Sequence, residues 1–164
     1  MAVTLEFRDD VAVITVDQPL DTASPQVRAL LPEAAEAGAV VLHGGARLSE
    51  VDGDAPSSVF SPRPSAGRGV AELRHALADL SVPVVAALAG SACGPVVELA
   101  LACHGRVLAA GGELGRVSGS AVLVGRRVPA AEALRTGLVD RVVPACAVLA
   151  AAVDLANECR RRRG

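Results

Sequence analysis

Lysine, tyrosine and tryptophan are absent from this 164-residue chain, and phenylalanine occurs only twice. These absences exclude Schiff-base, phenol and lysine acid–base chemistry. Any proton transfer must therefore come from carboxylates, three histidines or four cysteines. All sixteen basic residues are arginine and the net charge is −2, so no global positive field recruits nucleic acid. Long apolar runs are also missing. The longest clean one, Ala145–Val153, is half the ~18 residues that suggest a membrane span. Glu6, Arg8, Asp9 and Asp10 come too early for a signal peptide, which gives the expectation of a cytoplasmic protein without a membrane partner.

No CxxC pair and no metal-ligand spacing joins Cys93, Cys103, Cys146 and Cys159, so they read as small apolar side chains in a reducing compartment. No histidine has a second histidine or a cysteine four residues away, and no metal is expected. Cys103 and His104 are adjacent, and on a helix neighbours point ~100° apart, which discounts a dyad. The single basic run, Arg160–Arg163, is either a solvated helix end that suits the negative pole of the dipole or a docking tail.

Local patterns predict alternating strands and helices. Leu5–Arg8 and Val11–Val16 read as strands around an Asp9-Asp10 turn. Ser24 and Pro25 suit the N-cap and first position of a helix that continues to Ala37 and stops at Gly38. A strand follows at Ala39–Leu42, then a long polar loop at 46–69, of the kind that is usually functional or mobile. Apolar residues at 70, 73, 77 and 80 predict a helix over Val70–Leu80. Further on, strands are expected at Val82–Ala89, Arg106–Ala110, Glu113–Val117 and Asp140–Val143. Helices are expected at Pro95–Cys103, Pro129–Thr136 and Ala145–Arg160, with a tight turn at Gly90–Gly94. This order argues for a parallel α/β arrangement in one domain over 1–164, ending in a helix and arginine tail at 145–164.

Several motifs can be set aside. Gly90–Gly94 has Ala92 at its centre and is no nucleophile elbow. Gly44-Gly45 is too short for a phosphate loop, and nothing matches GxGxxG. Glu98 stands out because it interrupts the apolar stretch "PVVELALAC" just beyond a glycine turn. Either it is a functional carboxylate, costly to bury without a partner, or it answers the free amides of a helix N-terminus.

Four stretches resemble the crotonase, or enoyl-CoA hydratase/isomerase, superfamily, in family order over about residues 5–145. "VAVITVDQP" is similar to its opening strand and "AVVLHGG" to the strand before its first oxyanion loop. "LSVPVVAALAGSACGPVVELALACHGRVLAA" resembles its central signature, and "RVPAAEALRTGLVDRVVP" its later helix and "GLVD-x-VVP" segment. The resemblance implies a crotonase-like spiral of strand-strand-helix units, here truncated at the C-terminus: the helices that cover the acyl site and build trimers in the family have no counterpart. It also implies binding of an acyl thioester, carried by coenzyme A as part of the substrate or by a carrier protein, with no other cofactor. Two backbone amides would hold the thioester oxygen while enolate charge builds on it.

Carried over by position, the resemblance places the first family glutamate on Glu98. The second falls near Ser118, where the carboxylate is absent. The first oxyanion amide falls near Asp52, whose own carboxylate would oppose an enolate. The second falls on Pro95, just after Gly94, where proline has no N–H to give. Val96 and Val97 retain first-turn amides that could hold a shifted oxygen. Two functions follow. One is a divergent isomerase, dehydratase or decarboxylase with Glu98 as acid/base, helped by His104 or Asp52, for which ordinary two-glutamate hydration is not expected. The other is an accessory subunit of a homo-oligomer or of a complex with another biosynthetic enzyme. In that case apolar surface is covered by assembly, unless the apolar final helix packs on its own core.

Overall fold

Val3–Arg8 (β1) and Val11–Val16 (β2) form an antiparallel pair, in register from Val3 opposite Val16 to Arg8 opposite Val11. The turn between them puts Asp9 at φ 55°, a left-handed conformation that aspartate tolerates better than most residues. β1 starts at Val3 rather than Leu5 because Val3 is itself buried and paired. The computed structural model describes residues 3–16, 20–44, 68–90, 95–114 and 128–163, with backbone alone at 20–24, 68–70, 95–98 and 163.

Leu20–Ala34 (α1) begins about a turn before the expected start, with Pro25 and Pro32 inside it. The assignment of Ser24 and Pro25 as cap and first position is thereby corrected. The first amides of a helix need no intrahelical acceptor, so Pro25, in the second turn, forgoes one i→i−4 bond. Val27 and Leu31, buried one turn apart, hold the helix down beyond that gap. Beyond Ala34 the chain winds out in tighter turns, Glu36 N–H to Glu33 O and Ala37 N–H to Ala34 O. Gly38 N–H then crosses to Asp10 O at 2.7 Å.

The remaining elements are Ala39–Gly44 (β3), Arg68–Ala78 (α2), Val84–Leu88 (β4), Pro95–Ala102 (α3), Gly105–Ala109 (β5), Glu113–Leu114 (β6), Val128–Pro129 (β7), Ala130–Thr136 (α4), Arg141–Val143 (β8) and Val148–Arg163 (α5). Of the long loop expected at 46–69, residues 46–67 lie outside the described ones. Arg68 and Gly69 belong to α2, since a polar first turn can precede the apolar repeat. The turn expected at Gly90–Gly94 lies outside the described residues beyond Gly90. The last helix opens with a single 3₁₀ turn at Ala145–Ala147, where nothing is buried. Its α-helical part starts at Val148, the first residue with a fully buried side chain.

The main sheet runs β1-β2-β3-β4-β5-β8, parallel throughout except for the β1–β2 hairpin, as the alternating pattern predicts. β6 and β7 form a separate antiparallel pair. Alternate residues of the central strands feed two cores. Val40, Leu42 and Ala86 face α1, α2 and α3, whereas Ala39, Val41, Val85 and Val107 face α5. β4 is buried at every residue. The apolar final helix is used internally, with Val148, Ala152, Leu155 and Ala156 on the back of the sheet. At its far end Arg160 pairs with Asp10 at 3.5 Å and lies against Gly38.

Gly105 lets Leu155 of α5 pack closely on the sheet. A Cβ there would stand 2.8 Å from Leu155 Cδ2 and 3.4 Å from Val85 Cγ2. Gly105→Val is therefore expected to destabilise the fold by about 1–3 kcal/mol, as overpacking does in cores. Urea denaturation checks this, and an unchanged midpoint would mean that Leu155 moves aside without cost.

Candidate active site

β3 and β4 stay paired to their last residues. Gly44 is opposite Leu88, and Ala89 N–H donates to Gly44 O at 3.0 Å. The segments leaving them therefore start about one strand spacing, ~4.8 Å, apart. The first leads into the region of Asp52; the second enters α3. Gly112 closes another side. A Cβ built on it would lie 3.0 Å from Ala109 O and 3.4 Å from Gly90 O, so the turn after β5 lies against the exit from β4. The C-terminal edge of a parallel sheet is the usual ligand position in open α/β folds.

Pro95 is the first residue of α3, with Val96 and Val97 in its first turn and Glu98 next. The intrahelical acceptors for the Val96 and Val97 amides would be residues 92 and 93, which precede the helix. Pro95 fits the first helical position, where its fixed φ is favourable and its missing N–H costs the helix nothing. Asp52, Gly94 and Ser118 lie outside the described residues, as does Cys93.

His104 belongs elsewhere. It follows α3 at the opposite end from Pro95, where its N–H donates to Val84 O at 2.8 Å and its Nδ1 accepts from Val84 N–H at 3.1 Å. His104 thus fastens the start of β4, at the opposite end of that strand from its exit at Leu88. The thiol of Cys103 is buried and donates to Leu99 O at 3.4 Å. Burial pushes its pKa up to about 12, with Arg106 pulling weakly the other way, which removes it as a nucleophile. Among the described residues no group of three or more His, Cys, Asp or Glu side chains could hold a metal ion. No helix among them is long and apolar enough to cross a membrane.

His43 sits at the C-terminal end of β3, between Thr15 and Ala87, with Nδ1 buried and unpartnered. Desolvation first, and the Arg8 charge second, lower its pKa from 6.5. A lowered histidine pKa means that the unfolded chain binds the proton more readily. Stability due to neutral His43 is thus complete above the ordinary value and declines as pH drops below 6.5 toward the folded-state value. His43→Leu is expected to flatten the acid limb of a stability–pH curve measured by urea denaturation. An unchanged limb would assign it to other groups.

The same architecture is found in known enzymes. The crystal structure of an enoyl-CoA hydratase from Bacillus anthracis superposes with a TM-score of 0.74 at 22% identity, covering 97% of this chain and 76% of that one. An enoyl-CoA hydratase from Mycobacterium avium subsp. paratuberculosis gives 0.72 at 23% identity, covering 97% and 78%. The chain has the crotonase-superfamily fold. In sequence, this crotonase-fold chain is 35% identical over 188 aligned residues to the fatty acid oxidation complex subunit alpha of Shewanella loihica. The match takes in 89% of the chain and spans 26% of that relative's length. No family model matches it.

One residue at the far end of α3 escaped the sequence reading. Arg106 turns its guanidinium back onto the helix terminus and onto the turn before β8. A signal was present: a lone arginine shortly after an apolar helix is placed to meet that helix's last carbonyls.

Proposed function

We propose that the C-terminal edge of β3 and β4 binds an acyl thioester, linked to coenzyme A or to a carrier protein. Glu98 then moves a proton beside its carbonyl in an isomerase, dehydratase or decarboxylase reaction. The observation that carries this reading is the side-by-side exit of β3 and β4 beside the start of a helix that bears Glu98. The relatives' names support the thioester class. In the step envisaged, the Glu98 carboxylate takes the proton from the carbon next to the carbonyl. The bonding pair moves into the C–C bond and the carbonyl pair onto oxygen, and first-turn amides at Val96 and Val97 stabilise the enolate. Return of a proton from the Glu98 carboxyl restores a thioester. Each well-aimed donor at such an oxygen is worth about 3–4 kcal/mol. Hydration by two glutamates is not proposed, because Ser118 stands near the second position.

A second reading is an accessory subunit of a cytoplasmic complex, favoured by one observation: the helix begins on a residue that has no amide hydrogen to offer. The test is to incubate the protein with a panel of acyl-CoA thioesters in deuterated water and follow deuterium next to the carbonyl by mass spectrometry. Wild type is expected to exchange, and Glu98→Gln to do so at least about 100-fold more slowly. Thioester binding without exchange would overturn the enzyme reading and leave the accessory one.

A further inference from the structure

We infer that Arg106 is a positioning residue for the site, fixing the pose of α3 from its C-terminal end. This rests on the reading of α3 as the thioester helix.

With eight residues, α3 is well below the ~12–15 at which a helix is marginally stable alone, so its placement is decided by what holds it. Leu99, Ala100 and Cys103 are buried and anchor one side. At the N-terminal end, proline removes one amide that could be tied down. At the C-terminal end the carbonyls of Ala100, Leu101 and Cys103 are met by one side chain. Arg106 Nη1 donates to Cys103 O at 2.9 Å and also approaches Ala100 O and Leu101 O, each at 3.3 Å.

The same guanidinium reaches a second segment, with Nε donating to Leu138 O at 2.6 Å and Nη2 lying 4.0 Å from Asp140 Oδ2. The backbone completes the joint. Arg106 N–H donates to Asp140 Oδ2 at 2.8 Å, and Asp140 N–H to Arg106 O at 2.9 Å. The Arg106 side chain is 16% exposed, so these bonds face little competition from water. One planar cation thus locks the end of α3, the start of β5 and the turn into β8 into a single unit. A lysine could carry the charge but not the fork that spans both segments. A tilt of α3 would be felt at its other end, where Glu98 and the first-turn amides are carried.

The experiment uses the full chain with Arg106→Lys and Arg106→Ala, each checked for folding by circular dichroism. Asp140→Asn serves as a milder variant if both fail to fold. The expected result at saturating acyl-CoA is deuterium exchange slowed about 10- to 100-fold, with the half-saturating concentration changed by less than about threefold. Added guanidinium ion should partly restore Arg106→Ala, whereas urea at the same concentration should not. Backbone amide exchange in α3 should also quicken about tenfold or more, while α5 stays protected. Exchange within about twofold of wild type in folded variants, or guanidinium no better than urea, would overturn the inference. If wild type itself exchanges no thioester, the proposed activity fails separately. The α3 amides then decide alone, and unchanged protection in Arg106→Lys sinks the positioning role.

Discussion

Pro95→Gly is expected to raise Glu98-dependent deuterium exchange into an acyl-CoA by about 100-fold, the scale of one oxyanion donor gained or lost. The expectation comes from the helix boundary. α3 starts on Pro95 itself, so the position that could offer the first amide of the turn offers none, while Val96 and Val97 follow with theirs. Glycine supplies the missing N–H without adding a side chain. The substitution also loosens the unfolded chain, and stability should fall by about 1 kcal/mol, since proline restricts that state more than any other residue. Activity and stability are thus expected to move in opposite directions, a signature that a general improvement in folding could not imitate. The measurement is the exchange rate for wild type, Pro95→Gly and the double variant Pro95→Gly/Glu98→Gln. No gain in the single variant would mean either that the Val96 and Val97 amides already satisfy the oxygen without a third donor or that this turn no longer meets a thioester. A gain that survives loss of Glu98 would remove the carboxylate from the mechanism.

The strands were legible because two signals agreed. Val11–Val16 is rich in β-branched residues, and the proline-led segment ending in Leu88 is short, apolar and bounded by turn residues. Both became inner strands of the sheet. α1 was misjudged because Ser24-Pro25 is a good local start signal, yet the helix already runs from Leu20 and takes Pro25 into its second turn. The place of His104 was not legible for another reason. Adjacency to Cys103 and nearness in sequence to Glu98 say nothing of which end of a helix a side chain serves, and Val84 claims it. Arg106 went unseen because its partners, Ala100 to Cys103 on one side and Leu138 and Asp140 on the other, meet only once β5 and β8 pair.

The largest stability loss from a single truncation is expected at Ile14 rather than at an aromatic residue. Ile14 lies in β2 between Leu5 and Leu42, fully buried and among the largest fully buried side chains. Ile14→Ala should cost about 2–5 kcal/mol, because the lost contacts and the cavity add where flanking strands prevent collapse. Phe7 is larger, and its partner Ala12 lies on the same face of the hairpin as Ile14. Even so, Phe7 is 49% exposed on the edge strand, where truncation leaves no closed cavity. Phe7→Ala should cost about 1 kcal/mol or less. Urea midpoints for the two variants decide the matter at low protein concentration. Equal losses would mean that Phe7 is covered in solution. Repeating the Phe7→Ala measurement across a range of concentrations would then show whether a second copy of the chain is what covers it, since stability drawn from association rises with concentration and stability drawn from the fold does not.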